Sequence, residues 1–181
     1  LSGSTPAGHA RAVLSRVLGG PDGSECTLTV RGADGKDRDV AVKRAVEFRT
    51  FRPQLGDAHK VLDGNVGYVD LARLRAQDVG PMFAALKDTK GIVFDMRGYP
   101  NGTAWALAPR LNVKGARDAA EFRRPLVGTR EGGSLTFLQP VPPGRPGEAK
   151  YAGKCVMLVD ERTQSQAEHT GLFLEAACGV T

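Results

Sequence analysis

Residues Gly153 to Gly179 read GKCVMLVDERTQSQAEHTGLFLEAACG, and the fold is decided in this stretch. The apolar, β-branched-rich run from Cys155 to Val159 predicts a strand that stops at the charged pair Asp160 and Glu161. A small-polar segment holding Ser165 then opens an amphipathic helical pattern that continues through Ala177. Strand, sharp turn and helix in that order put Ser165 at a helix N-terminus, where unpaired backbone N–H groups face whatever its oxygen attacks. One turn therefore offers a nucleophile and half of an oxyanion hole. The plainer use of the same serine is as a helix cap.

Working outward, Gly91 to Met96 is short and apolar enough, through Ile92, Val93 and Phe94, for a strand covered on both faces. A helical pattern from Gln77 to Leu86 precedes it, with Val79, Met82, Phe83 and Leu86 on one face, and before that a hairpin pairs Lys60–Asp63 with Val66–Leu71 around Gly64-Asn65. Strand, helix, strand predicts a parallel right-handed crossover. At the strand's end, Asp95-Met96-Arg97-Gly98-Tyr99-Pro100-Asn101-Gly102 leads into a helical pattern over Thr103 to Leu111. Glycines at such an entry let backbone approach a ligand closely, although they also punctuate ordinary turns. Farther on, strands are expected at Glu121–Val127 and Ser134–Leu138, followed by a proline-rich loop from Gln139 to Gly147.

At the other end, Thr5 to Leu18 has helical spacing, with Ser4 or Thr5 as cap and Pro6 in the first turn. Alternation then predicts strands at Cys26–Val30 and Asp39–Lys43 around the hairpin Ala33-Asp34-Gly35-Lys36. Residues 45–55 have no period and read as a connecting arm. Composition fits a globular chain: of 181 residues, 41% are hydrophobic and 25% charged, enough to bury a core. No apolar run approaches the roughly 20 residues of a membrane span. The net charge of +5 comes from basic residues dispersed among 20 acidic ones, a solvated mixed surface rather than a nucleic-acid footprint. Cys26, Cys155 and Cys178 lie in apolar runs without metal-ligand spacing and read as free thiols, and no metal or other cofactor is called for. The chain begins at Leu1 without a signal segment and reads as a piece of something longer.

Two segments together carry a resemblance. Asp95 to Gly102, followed by Cys155-Val156-Met157-Leu158-Val159-Asp160-Glu161 and Thr163-Gln164-Ser165-Gln166-Ala167-Glu168, resembles the carboxyl-terminal processing (tail-specific) protease family, with its tricorn-core-like and retinoid-binding-protein-like relatives. The family pattern is a D-x-R-G-N-x-G-G loop, an apolar strand, then T-x-S-x-A-E. Gly67 to Leu71 is similar to the strand that opens the family's catalytic domain, and Ser4 to Arg44 to the closing helix and hairpin of its PDZ domain. The resemblance implies an α/β, crotonase/ClpP-like core of parallel strand-helix units, preceded by the C-terminal part of a PDZ-like domain. The corresponding boundaries are 1–45 for the PDZ-like part, 46–58 for the arm and 59–181 for the truncated catalytic domain.

By the same resemblance Ser165 is the acyl-forming nucleophile of a serine endopeptidase acting on unstructured or C-terminal protein segments. The Gln166 N–H and an N–H from the loop of Gly98, Asn101 and Gly102 would hold the oxyanion, with Asp95, Arg97 and Glu168 as structural support. Asn101 stands where the family has a glycine, and asparagine is among the residues that tolerate a left-handed backbone. The family's general base, a lysine past the nucleophile helix or a histidine before the PDZ domain with a glutamate downstream, falls outside residues 1–181. His169, four residues after Ser165, is the in-chain substitute to weigh, ahead of His59 and His9. Little or no peptidase activity is expected of this chain alone. The implied partners are protein or peptide substrates and the implied setting is extracytoplasmic. The other open class is a non-catalytic peptide-binding module or pseudoenzyme, gripping extended peptides by strand addition.

Overall fold

A computed structural model describes residues 5–44, 56–128 and 132–180. The chain divides into two compact units, Leu1–Leu55 and Gly56–Thr181.

In the first unit, α1 (Pro6–Val17) starts where expected, with Thr5 as N-cap accepting the Gly8 N–H at 3.0 Å. β1 (Glu25–Arg31) and β2 (Asp37–Lys43) pair antiparallel from Glu25↔Lys43 to Arg31↔Asp37. The second strand begins two residues earlier than its alternation suggested, because Asp37 is held in the ladder by a two-bond ion pair with Arg31. Most of the arm expected at 46–58 lies outside the described residues.

The second unit is a mixed α/β structure. Its four-stranded sheet has the order β3-β4-β5-β8, with β3 (His59–Leu62), β4 (Val66–Asp70), β5 (Gly91–Asp95) and β8 (Lys154–Leu158). β3 is antiparallel to β4, whereas β4, β5 and β8 are mutually parallel. The crossover between β4 and β5 carries a short 3-10 turn at 76–78 and α2 (Val79–Leu86), which starts later than the period implied. Its Val79, Met82, Phe83 and Leu86 are buried, as one apolar face requires. Gly67 makes the contact with β4 possible: a Cβ there would stand 3.1 Å from side-chain carbons of both Leu86 and Ile92.

β5 is central, and its Ile92 and Phe94 are essentially inaccessible. α3 (Ala104–Leu111) follows it, and α4 (Gln166–Cys178) follows β8. Leu107 and Leu111 of α3 and Phe173 and Leu174 of α4 join the same core, each contributing roughly 1.5–3 kcal/mol by burial. β6 (Asp118–Pro125) and β7 (Ser134–Pro140) form a separate antiparallel ribbon, longer at both outer ends than expected, with Phe122 and Phe137 stacked 5.0 Å apart. No helix among the described residues is long and apolar enough to cross a membrane.

Candidate active site

β5 and β8 run parallel and end side by side, so the loops that leave them, Asp95–Gly102 and Asp160–Ser165, emerge at one sheet edge. Both loops open with the same clip. Arg97 returns to Asp95 with its Nε at 3.0 Å and Nη2 at 2.8 Å, and its N–H donates to the same carboxylate at 3.0 Å. Arg162 returns to Asp160 with Nε at 2.9 Å, Nη2 at 2.5 Å and its N–H at 2.9 Å. Thr163 closes the second turn by donating its N–H to the Asp160 carbonyl and accepting the Asp160 N–H on Oγ1.

Asp95 is 2% exposed and also accepts a 2.6 Å hydrogen bond from the Tyr68 hydroxyl. Burial by itself would raise its pKa; the Arg97 guanidinium and the Tyr68 hydroxyl outweigh burial and hold it at about 2. The Tyr68 phenol is pushed up to about 12 by burial and by the carboxylate it donates to. Sequence reasoning missed Tyr68. The parallel register supplies the signal: Asp70 stands opposite Asp95, so Tyr68, two residues back on β4, shares a face with it.

Ser165 is exposed and adopts φ 56°, ψ −118°, one of two non-glycine residues among those described with positive φ. That conformation is sparsely populated for a residue with a Cβ and persists only where neighbours enforce it. Glu168 enforces it by accepting the Ser165 N–H on its carboxylate at 2.6 Å, while the Ser165 carbonyl accepts the first intrahelical bond, from His169. Ser165 and Glu168 together form a capping box, and the Gln166 N–H stands at the first helical position beside the serine.

The two loops meet at Gly102 and Gln166. Gly102 has φ 69°, and a Cβ there would come within 3.2 Å of the Gln166 Nε2. The left-handed residue is thus Gly102 and not Asn101, whose side chain instead donates to the Ala72 carbonyl at 2.8 Å and the Leu74 carbonyl at 3.3 Å. The Asn101 N–H is already committed to the Leu71 carbonyl at 3.3 Å, whereas the N–H groups of Gly98 and Gly102 make no backbone hydrogen bond among the described residues. Beside the elbow, a cleft of about 470 Å³ between β8 and α4 is lined by Met157, Val159, Thr163, Ala167, Glu168 and Leu172.

His169 is not directed at the serine. Its ring lies edge-on to Trp105 at 5.6 Å and to Phe122 at 5.4 Å and tilts against Phe173 at 5.1 Å; its Nε2 is buried without a partner. Trp105 and Phe122, on α3 and β6, had no signal in the local spacing around His169. His59, on β3, and His9, on α1, lie on elements that do not carry the elbow.

Fold and site together define an α/β chain with a serine elbow facing a glycine loop. No family model and no curated protein matches the chain. Among solved structures it is similar to a crystal structure of a "putative peptidase" from Parabacteroides merdae, at 19% identity and a TM-score of 0.49, covering 68% of this chain. The match spans 41% of that chain, less than half its length.

Proposed function

We propose that the second unit carries the nucleophile and oxyanion loop of a serine-type peptidase of the carboxyl-terminal processing kind, with a crotonase/ClpP-like core. In this reading the first unit is the end of a PDZ-like domain. The substrates are unstructured or C-terminal protein segments, met outside the cytoplasm. The observation that carries the reading is the left-handed Ser165 elbow with the Gly102 loop packed on the residue that follows it. Ser165 would attack the scissile carbonyl through Oγ, and the oxyanion would be held by the Gln166 N–H and by Gly98 or Gly102 rather than Asn101. Each such donor is worth about 10²–10³ in rate, because it acts on charge present only in the transition state.

A second reading, a non-catalytic peptide-binding module, is favoured by one observation. Among the described residues no histidine or lysine side chain is hydrogen-bonded to the Ser165 hydroxyl, and the Nε2 of the nearest histidine in sequence is buried among aromatic rings without a partner. A hydroxyl without a base is a weak nucleophile.

An active-site-directed fluorophosphonate separates the two. On the peptidase reading it labels Ser165, slowly in plain buffer and faster when imidazole is added as an external base, and Ser165→Ala abolishes the label. A folded chain that stays unlabelled with imidazole, or is labelled indiscriminately on other serines, sinks the peptidase reading and leaves the binding module.

A further inference from the structure

The proline-rich segment between β7 and β8 has no part in the peptidase reading. Gln139 to Pro146 reads QPVPPGRP, and every residue of it except Gly144 is either a proline or directly precedes one. The proline ring fixes φ near about −65°, and the residue before a proline is pushed out of the helical region. The backbone is thereby held extended, in the polyproline II range with about three residues per turn. Both ends are fastened. The Val141 N–H donates to the Arg117 carbonyl at 2.9 Å. At the far end a turn closes from the Glu148 N–H to the Arg145 carbonyl at 3.1 Å, with Pro146 and Gly147, at φ 76°, as its central residues. Glu148 is then tied to Arg110 at 3.1 Å.

A three-residue period gives the segment three ridges, and they are not equivalent. The ridge of Val141 and Gly144 is turned into the chain: Val141 is buried, and a Cβ on Gly144 would stand 3.7 Å from the Pro109 carbonyl oxygen. The ridge of Pro140, Pro143 and Pro146 is exposed. The third ends on Arg145, which is exposed and has no carboxylate partner among the described residues, since Glu148, the acid nearest in sequence, is taken by Arg110.

We propose that residues 139–146 are a preformed docking ridge for a protein domain that takes polyproline II segments in a groove walled by aromatic rings and bounded at one end by carboxylates. Such grooves read prolines in the spacing Pro-x-x-Pro, which Pro140 and Pro143 supply roughly 9 Å apart. Arg145, two places further on, supplies the cation that the acidic end of the groove pairs with. The groove needs two of the three ridges, and the one it leaves free is the one this chain has already covered. Because the segment is ordered before the partner arrives, less conformational entropy is lost on binding.

The test titrates the whole chain into an SH3 domain of the class that takes Pro-x-x-Pro-x-Arg, following the fluorescence of its groove tryptophan, with a peptide of residues 138–148 as reference. The chain is expected to bind one to one and at least as tightly as the peptide. Arg145→Glu and Pro143→Ala, both at exposed positions, should each weaken binding by about tenfold or more, with unchanged circular dichroism. Added salt should weaken the wild-type chain and leave Arg145→Glu nearly unaffected. A chain that gives no saturable signal overturns the proposal, whether or not the peptide binds. So does a peptide that binds tenfold more tightly than the chain, which would mean that the fold hides the ridge, or binding that survives both substitutions.

Discussion

Asp95 is almost wholly buried, yet it remains charged because the Arg97 clip and the Tyr68 hydroxyl occupy its oxygens. With a pKa of about 2 in the fold against 3.8 for the ordinary side chain, it binds its proton less readily when folded. Its stabilising contribution is therefore complete above about pH 4 and lost as the pH falls through 2. The size is roughly 2 kcal/mol from that shift. We expect Asp95→Asn to lower stability by about that amount at pH 7 and to flatten the acid limb between pH 4 and 2, measured by urea unfolding across the range. An unchanged acid limb would remove Asp95 from the cause. The Asp95–Arg97 brace is legible in the sequence because the two residues sit two apart at a strand end. Tyr68, 27 residues away, meets them only through the parallel register.

The elbow is the element on which the functional reading depends. A β-carbon at φ 56°, ψ −118° costs about 1–3 kcal/mol, which the Glu168 bond to the Ser165 N–H and the packing of α4 offset. Glycine relieves this strain and alanine does not, so Ser165→Gly should be more stable than Ser165→Ala by about 1 kcal/mol in paired denaturant titrations. Equal midpoints would mean that the turn is unstrained. Strand, turn and helix were readable from the change of period between Cys155–Val159 and the residues after Ser165. The sign of φ at Ser165 was not, nor was the transfer of the left-handed role from Asn101 to Gly102. Both depend on what the two loops press against.

Across the whole molecule the core is unevenly divided. Among the described residues every buried hydrophobic one lies between Val69 and Ala177, and no described residue of the first unit is buried. A helix with one hairpin buries too little apolar surface for independent stability. We therefore expect residues 56–181 expressed alone to unfold cooperatively, with a midpoint within a few degrees of the whole chain, as followed by circular dichroism. Residues 1–55 alone should show no cooperative transition. A collapse of the 56–181 midpoint would show that the first unit contributes to the core.

The order of strands and helices, the two loops at strand ends and the serine at a helix start follow from the sequence by itself, because period and turn chemistry are local properties of neighbouring residues. The tertiary structure alone decided that Tyr68 holds Asp95, that Gly102 lies against Gln166, and that Trp105, Phe122 and Phe173 pack around His169. Each of these joins residues from different elements. Their meeting is set by sheet register and side-chain packing, which no local window contains.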